Sequence, residues 1–198
     1  MQVYHNIFKI YVIKGLTWFM LAMPIIVLFF QDHGLTLTEV MILQSIYSLT
    51  VALVEIPSGY FADYFGRKNS IILSCIFLFL GYLIFSNYVG FAIFVLAEIL
   101  LALGSALMSG ADSAIMYDTL LEVDKKESYT KFEGRTYAIG NFSEAIAGLI
   151  GGFLATVSLL LPFQIQALIL FFSIPVAFTL VEPSINNNHK NRGSWYFI

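Results

Sequence analysis

The sequence predicts an all-α membrane protein of six transmembrane helices, on three observations. Hydrophobic residues make up 59% of the 198 and charged residues only 12%, against about 25% charged in an average soluble domain. The mean hydropathy of +0.81 means more apolar surface than one soluble core can bury, so lipid is the natural solvent for most of it. Finally, six stretches reach the roughly 20 apolar residues needed to cross about 30 Å of hydrocarbon, and every Lys and Arg lies on one side of them.

The spans fall at 7–30, 37–58, 70–88, 91–121, 137–159 and 162–181. The first ends in Phe29-Phe30-Gln31-Asp32 without a small-residue cleavage site, so it reads as a retained span and not a signal peptide. Pro24 removes a backbone donor inside it and should bend the helix. Thr36-Leu37-Thr38-Glu39 fits a capping box at the start of the second. In the fourth the apolar part ends near Met108, yet Asp112 to Leu121 stays compatible with a helix, which should run on past the bilayer.

Orientation follows from the ten basic residues. Lys9 and Lys14 flank the start of span 1, Arg67 and Lys68 lie between spans 2 and 3, and Lys125, Lys126, Lys131 and Arg135 lie between spans 4 and 5. Lys190 and Arg192 follow span 6, in a polar tail, 184–198, expected to be cytoplasmic and disordered. The opposite loops carry no Lys or Arg, so both termini are expected in the cytoplasm and the chain in the plasma membrane.

Other classes are disfavoured. A net charge of -3 with dispersed basic residues gives no nucleic-acid footprint. Cys75 is the single cysteine and lies in an apolar run, so it reads as a packing thiol. No cofactor or metal site is expected. An intramembrane aspartyl protease needs two aspartates facing each other from different helices, whereas Asp112 and Asp118 share one helix, six residues apart. His5, His33 and His189 lie outside the apolar spans, which leaves no base for a buried serine.

Between spans 2 and 3 stands Gly59-Tyr60-Phe61-Ala62-Asp63-Tyr64-Phe65-Gly66-Arg67-Lys68. Two glycines permit a tight turn and close helix approach, the carboxylate accepts hydrogen bonds, and the adjacent cations hold the loop on the cytoplasmic side. The segment resembles the cytoplasmic loop signature of the major facilitator superfamily, G-x-x-x-D-x-x-G-R-K, with Tyr64 replacing a usual basic residue. Glu55-Ile56-Pro57-Ser58, Ser109-Gly110-Ala111-Asp112-Ser113-Ala114, Tyr117-Asp118 and Glu182-Pro183 extend the resemblance through about residue 183. It implies an N-terminal-half bundle of 3+3 helices over 1–183, working as a non-enzymatic alternating-access carrier. Asp63 and Arg67 would belong to an inner gate, with Arg67 pairing either Asp112 or Asp118. Span 5 has Ala147-Gly148-Leu149-Ile150-Gly151-Gly152 where antiporters of the superfamily carry a proline after the first glycine. Gly148, Gly151 and Gly152 therefore read as helix-packing residues.

Carboxylates at membrane depth are functional candidates by default. Glu55, Glu98, Asp112 and Glu144 are those available. Glu98, Ala102, Ser105, Ser109, Asp112 and Met116 recur along one face of span 4, and Gly140, Glu144, Ala147, Gly148, Gly151 and Ala155 along one face of span 5. Helices 4 and 5 would then turn carboxylates toward a shared interior. Glu98 is the first candidate for proton coupling, its structural alternative being a hydrogen-bonded link between helices. Glu55 reads as a gate contact.

Carriers of this superfamily rock two six-helix halves around a midplane site, and the chain reads as one half. Two expectations follow: a truncated carrier, inactive alone, or a half that pairs with itself or with a second chain. The small-molecule substrate is not legible from any residue.

Overall fold

The computed structural model describes residues 3–184, so the expected tail lies outside the described residues apart from Ser184. Among these residues there are eight α-helices and no strand. They are α1 (Asn6–Thr17), α2 (Ile26–Asp32), α3 (Leu37–Phe65), α4 (Arg67–Asn87), α5 (Phe91–Met108), α6 (Ala111–Glu122), α7 (Tyr129–Ala155) and α8 (Leu161–Phe178). Five segments are long and apolar enough to cross a membrane: Leu37–Phe65, Arg67–Asn87, Phe91–Glu122, Lys126–Ala155 and Leu161–Phe178.

The first expected span departs most from its reading. It is not one bent helix but α1, an irregular stretch at 18–22, a 3-10 turn over Met23–Ile25, and the short α2. Pro24 in that turn lacks an N–H and disfavours helical backbone before it, which stops helix propagation. The amide of Leu21, without a regular helical partner, donates to Gln166 Oε1 on α8 at 2.7 Å.

Other boundaries moved by less. The capping box forms: Thr36 N–H donates to Glu39 Oε2 at 2.8 Å, and Glu39 N–H donates to Thr36 Oγ1 at 3.3 Å. From there α3 continues through Pro57 to Phe65, so Gly59 to Phe65 are helical and the turn reduces to Gly66. The fourth span is interrupted at 109–110, a Ser-Gly pair of the kind that kinks helices. α7 starts at Tyr129, well before the expected 137.

α4 is the central helix, packed on α5 and α8, while α3 leans on α5, and α1 on α7 and α8. Small residues set the α4–α5 spacing. A Cβ on Gly81 would meet Leu101, and one on Gly104 would meet Leu78. Ser74 Oγ donates to the Gly104 carbonyl at 2.5 Å, and Ser70 Oγ to that of Leu107 at 2.8 Å. We call the end bearing the Gly66 turn the motif end. Buried apolar side chains form two clusters, one toward the motif end around Ile10, Ile71, Ile115 and Leu120, the other toward the far end around Phe29, Phe30, Phe85, Phe94 and Phe163. The far cluster is aromatic, with Phe29 and Phe163 stacked at 3.9 Å between centroids. α3 and α7 bury least of themselves and expose Leu53, Ile56, Leu149 and Phe153.

Candidate functional site

The motif loop is built from three directions. Gly66 separates α3 from α4 with φ +102, a conformation that side chains disfavour. Immediately after it, the amides of Arg67 and Lys68 begin α4 and need acceptors. They find Glu182, which follows α8: its Oε1 accepts from Arg67 N at 2.9 Å and its Oε2 from Lys68 N at 2.8 Å. A Cβ at Gly66 would come within 3.2 Å of the same carboxylate, so the glycine also makes room for it.

The Arg67 side chain turns the other way, toward α6. Its Nη1 donates to the Ala114 carbonyl at 2.6 Å and pairs with the Asp118 carboxylate. Of the two partners that the sequence left open, Asp118 is therefore the one the fold supplies. Arg67 Nε is buried without a partner among the described residues. Asp63 lies on the last turn of α3, exposed, with no hydrogen bond or ion pair among the described residues. Gly59, also exposed within α3, has nothing within 4 Å of an added Cβ, so it sets no turn.

Asp112 is taken by another cation. Lys14 Nζ lies 2.9 Å from Asp112 Oδ2, and Lys14 is only 9% exposed. This corrects the reading of Lys14 as a flanking charge: it sits about 12 Å along α1 from Asn6 at 1.5 Å per residue. Neither Lys14 as a buried pair member nor Glu182 as a cap was predicted. A signal existed for each, since Lys14 is followed by aromatic Trp18 one turn on, and Glu182-Pro183 is an acid at a helix exit.

The remaining carboxylates separate. Glu98 is buried on α5, and its Oε1 accepts from Gln44 Nε2 of α3 at 3.2 Å. One turn pair further, Tyr47 OH donates to Ser105 Oγ at 2.9 Å. The polar stripe of span 4 thus faces α3 in its far half and α1 in its motif-end half. Glu144, half-buried on α7, has no hydrogen bond or ion pair among the described residues, and α7 packs on α1, α6, α8 and the Met23–Ile25 turn. Glu98 and Glu144 share no hydrogen bond among the described residues, Glu98 being bonded to α3. Glu55 is exposed and lines a cavity of about 110 Å³ with Ser58, Gly59, Ala62, Ser109 and Gly110.

The span 5 glycines differ among themselves. A Cβ on Gly151 would run into the Leu21 backbone at the 18–22 break, one on Gly148 would only touch Pro24 at 3.8 Å, and one on Gly152 would meet nothing within 4 Å. Gly140, against the Trp18 ring, is a second close approach.

Comparisons with known proteins bear on the family and the fold. Quinolone resistance protein NorA of Staphylococcus aureus (strain MRSA252) is 24% identical over 160 residues, which is 81% of this chain and 39% of that protein. The protein of the same name from strain Mu50 / ATCC 700699 matches to the same extent. This chain thus spans 39% of the length of the curated relatives it matches. A solved peptide transporter, POT in complex with sulfate, superposes with a TM-score of 0.75 at 16% identity, over 96% of this chain and 43% of that one. That likeness concerns the fold. The Major Facilitator Superfamily profile matches residues 7–196, nearly the whole sequence, and the chain belongs to that superfamily.

Proposed function

We propose that this chain acts as a six-helix half of a secondary carrier that moves a small solute across the plasma membrane by alternating access. The two pieces of Asn6–Asp32 would together make the sixth crossing, completing a 3+3 bundle with both termini cytoplasmic. The observation that carries the reading is the knot at the motif end. Arg67 pairs with Asp118 while the start of α4 is capped by Glu182, so three segments meet where an inner gate must be held shut. Asp63, exposed beside it, is available to a second half. The weakly covered faces of α3 and α7 suit such a partner, either further chain or a second copy.

Glu98 is the coupling residue of this proposal. It is buried in the far half, bonded to the neutral Gln44, so proton gain or loss there would not break an ion pair. Glu144 and Glu55 are secondary candidates. The curated relatives are named for quinolone resistance, which makes a quinolone the first solute to test.

The test joins this chain to the remaining half of the Staphylococcus aureus relative and measures quinolone accumulation in cells. Lower accumulation with the intact chain, lost in Arg67→Ala and Asp118→Ala at equal membrane abundance, is the expected result. Accumulation equal to that of cells lacking the protein sinks the reading. Glu98→Gln should retain binding and lose the dependence of transport on an imposed pH gradient; unchanged dependence removes Glu98 from the mechanism.

A further inference from the structure

Lys14 and Asp112 take no part in the knot, yet they form the most enclosed ion pair of the described residues by combined side-chain exposure, 10% and 12%. The ammonium lies 4.6 Å from the Trp18 ring centroid and 5.4 Å from that of Tyr137, so ring faces replace water around it. Asp112 Oδ1 accepts the Ser113 amide at 2.7 Å, and Ser113 Oγ donates to Glu133 of α7 at 2.6 Å. Such a pair adds little net stability, because desolvation offsets attraction, but losing one member leaves a buried charge. Its effect is to couple the helices that carry it.

The location of the pair says which parts are coupled. Lys14 precedes the interruption at 18–22 by one helical turn, and Asp112 follows the interruption at 109–110 directly. The division of the apolar core falls at the same level. α1 and α6 contribute only to the motif-end cluster, through Ile7, Ile10, Ile13, Ile115 and Leu120, whereas α2 and α5 contribute to the far cluster, apart from Met108 at the end of α5. Thus α1 joins α2, and α6 joins α5, through interrupted backbone, while a buried ion pair ties α1 to α6. The first interruption is also imperfectly satisfied: Gln166 accepts the Leu21 amide, but its own Nε2 is buried without a partner among the described residues. An unpaired buried donor is unfavourable, so the contact at this break carries an uncompensated cost.

We propose that Lys14 and Asp112 are positioning residues forming a latch, which makes α1 and α6 swing as one block about 18–22 and 109–110 while α2 and α5 stay with the far core. Use of that swing in opening a carrier rests on the function proposed above; the latch itself does not.

Hydrogen–deuterium exchange of the full chain in detergent, without substrate, tests it. Lys14→Met should speed exchange several-fold in α6 as well as α1, and Asp112→Asn should do the same in α1, 98 residues away along the chain. α2 and α5 should keep wild-type rates. The neutral double variant, Lys14→Met with Asp112→Asn, leaves no orphaned charge, so a merely structural pair would return to wild-type exchange; a latch stays fast in both helices. The reversed pair, Lys14→Asp with Asp112→Lys, should restore slow exchange. Acceleration confined to the substituted helix, or spread equally into α2 and α5, overturns the proposal. Should a single variant fail to fold, the two double variants decide: neutral fast and reversed slow supports the latch, and any other pattern overturns it.

Discussion

Glu182 and Arg67 are 115 residues apart in the chain and joined by a hydrogen bond of 2.9 Å from the Arg67 amide to the Glu182 carboxylate. With the second bond, from the Lys68 amide at 2.8 Å, one side chain caps the helix that the motif loop introduces. The acid also lies where the α4 dipole is positive. The loop signature is therefore held by a residue outside it.

Replacing that cap is the first prediction. Glu182→Ala removes both acceptors from the first turn of α4 and should cost about 1–2 kcal/mol, the scale of losing a helix cap. Thermal unfolding in detergent measures it. Glu182→Gln, which keeps one acceptor oxygen, should recover part of the loss; equal stability of all three proteins would contradict the assigned cap.

The two motif glycines should respond in opposite directions. Gly66→Ala puts a side chain at φ +102 and within 3.2 Å of Glu182, and should cost at least about 1–2 kcal/mol. Gly59→Ala, inside a helix with open space, should be neutral or raise stability by roughly 0.5–1 kcal/mol. Chemical denaturation of the pair gives the sign of each change.

Asp118 and Asp63, both near the motif loop, should also divide. Asp118→Ala strands the Arg67 charge, whose side chain is only 18% exposed, and should cost about 3 kcal/mol, as when one member of a buried pair is removed. Asp63→Ala alters an exposed residue and should stay within about 0.5 kcal/mol. Loss of transport in Asp63→Ala without loss of melting temperature would mark a role in gating and not in folding.

In span 5, Gly151→Ala forces a methyl group into the Leu21 backbone, and should cost about 1–3 kcal/mol, the usual range for overpacking. Gly152→Ala meets nothing and, as a helix-interior Gly→Ala change, should be neutral to slightly stabilising. A thermal-shift comparison of the two variants in one detergent distinguishes a specific contact from general glycine flexibility.

Membrane character, most of the long helices and the superfamily were legible in the sequence because they rest on local quantities: hydrophobic length, a capping box spelled by Thr36 and Glu39, and a loop signature read in one window. Span 1 was misread because whether the chain before Pro24 bends or breaks depends on what satisfies the backbone groups that leave the helix, and Gln166, which accepts the Leu21 amide, lies 145 residues away. Only the tertiary structure decided that Arg67 goes to Asp118 while Lys14 claims Asp112. Both aspartates lie on α6, and helical spacing alone orients neither toward a given cation. Charge pairing depends on distance through space, and in a bundle that distance is set by small residues such as Gly81, Gly104 and Gly151, whose neighbours on other helices no local pattern names.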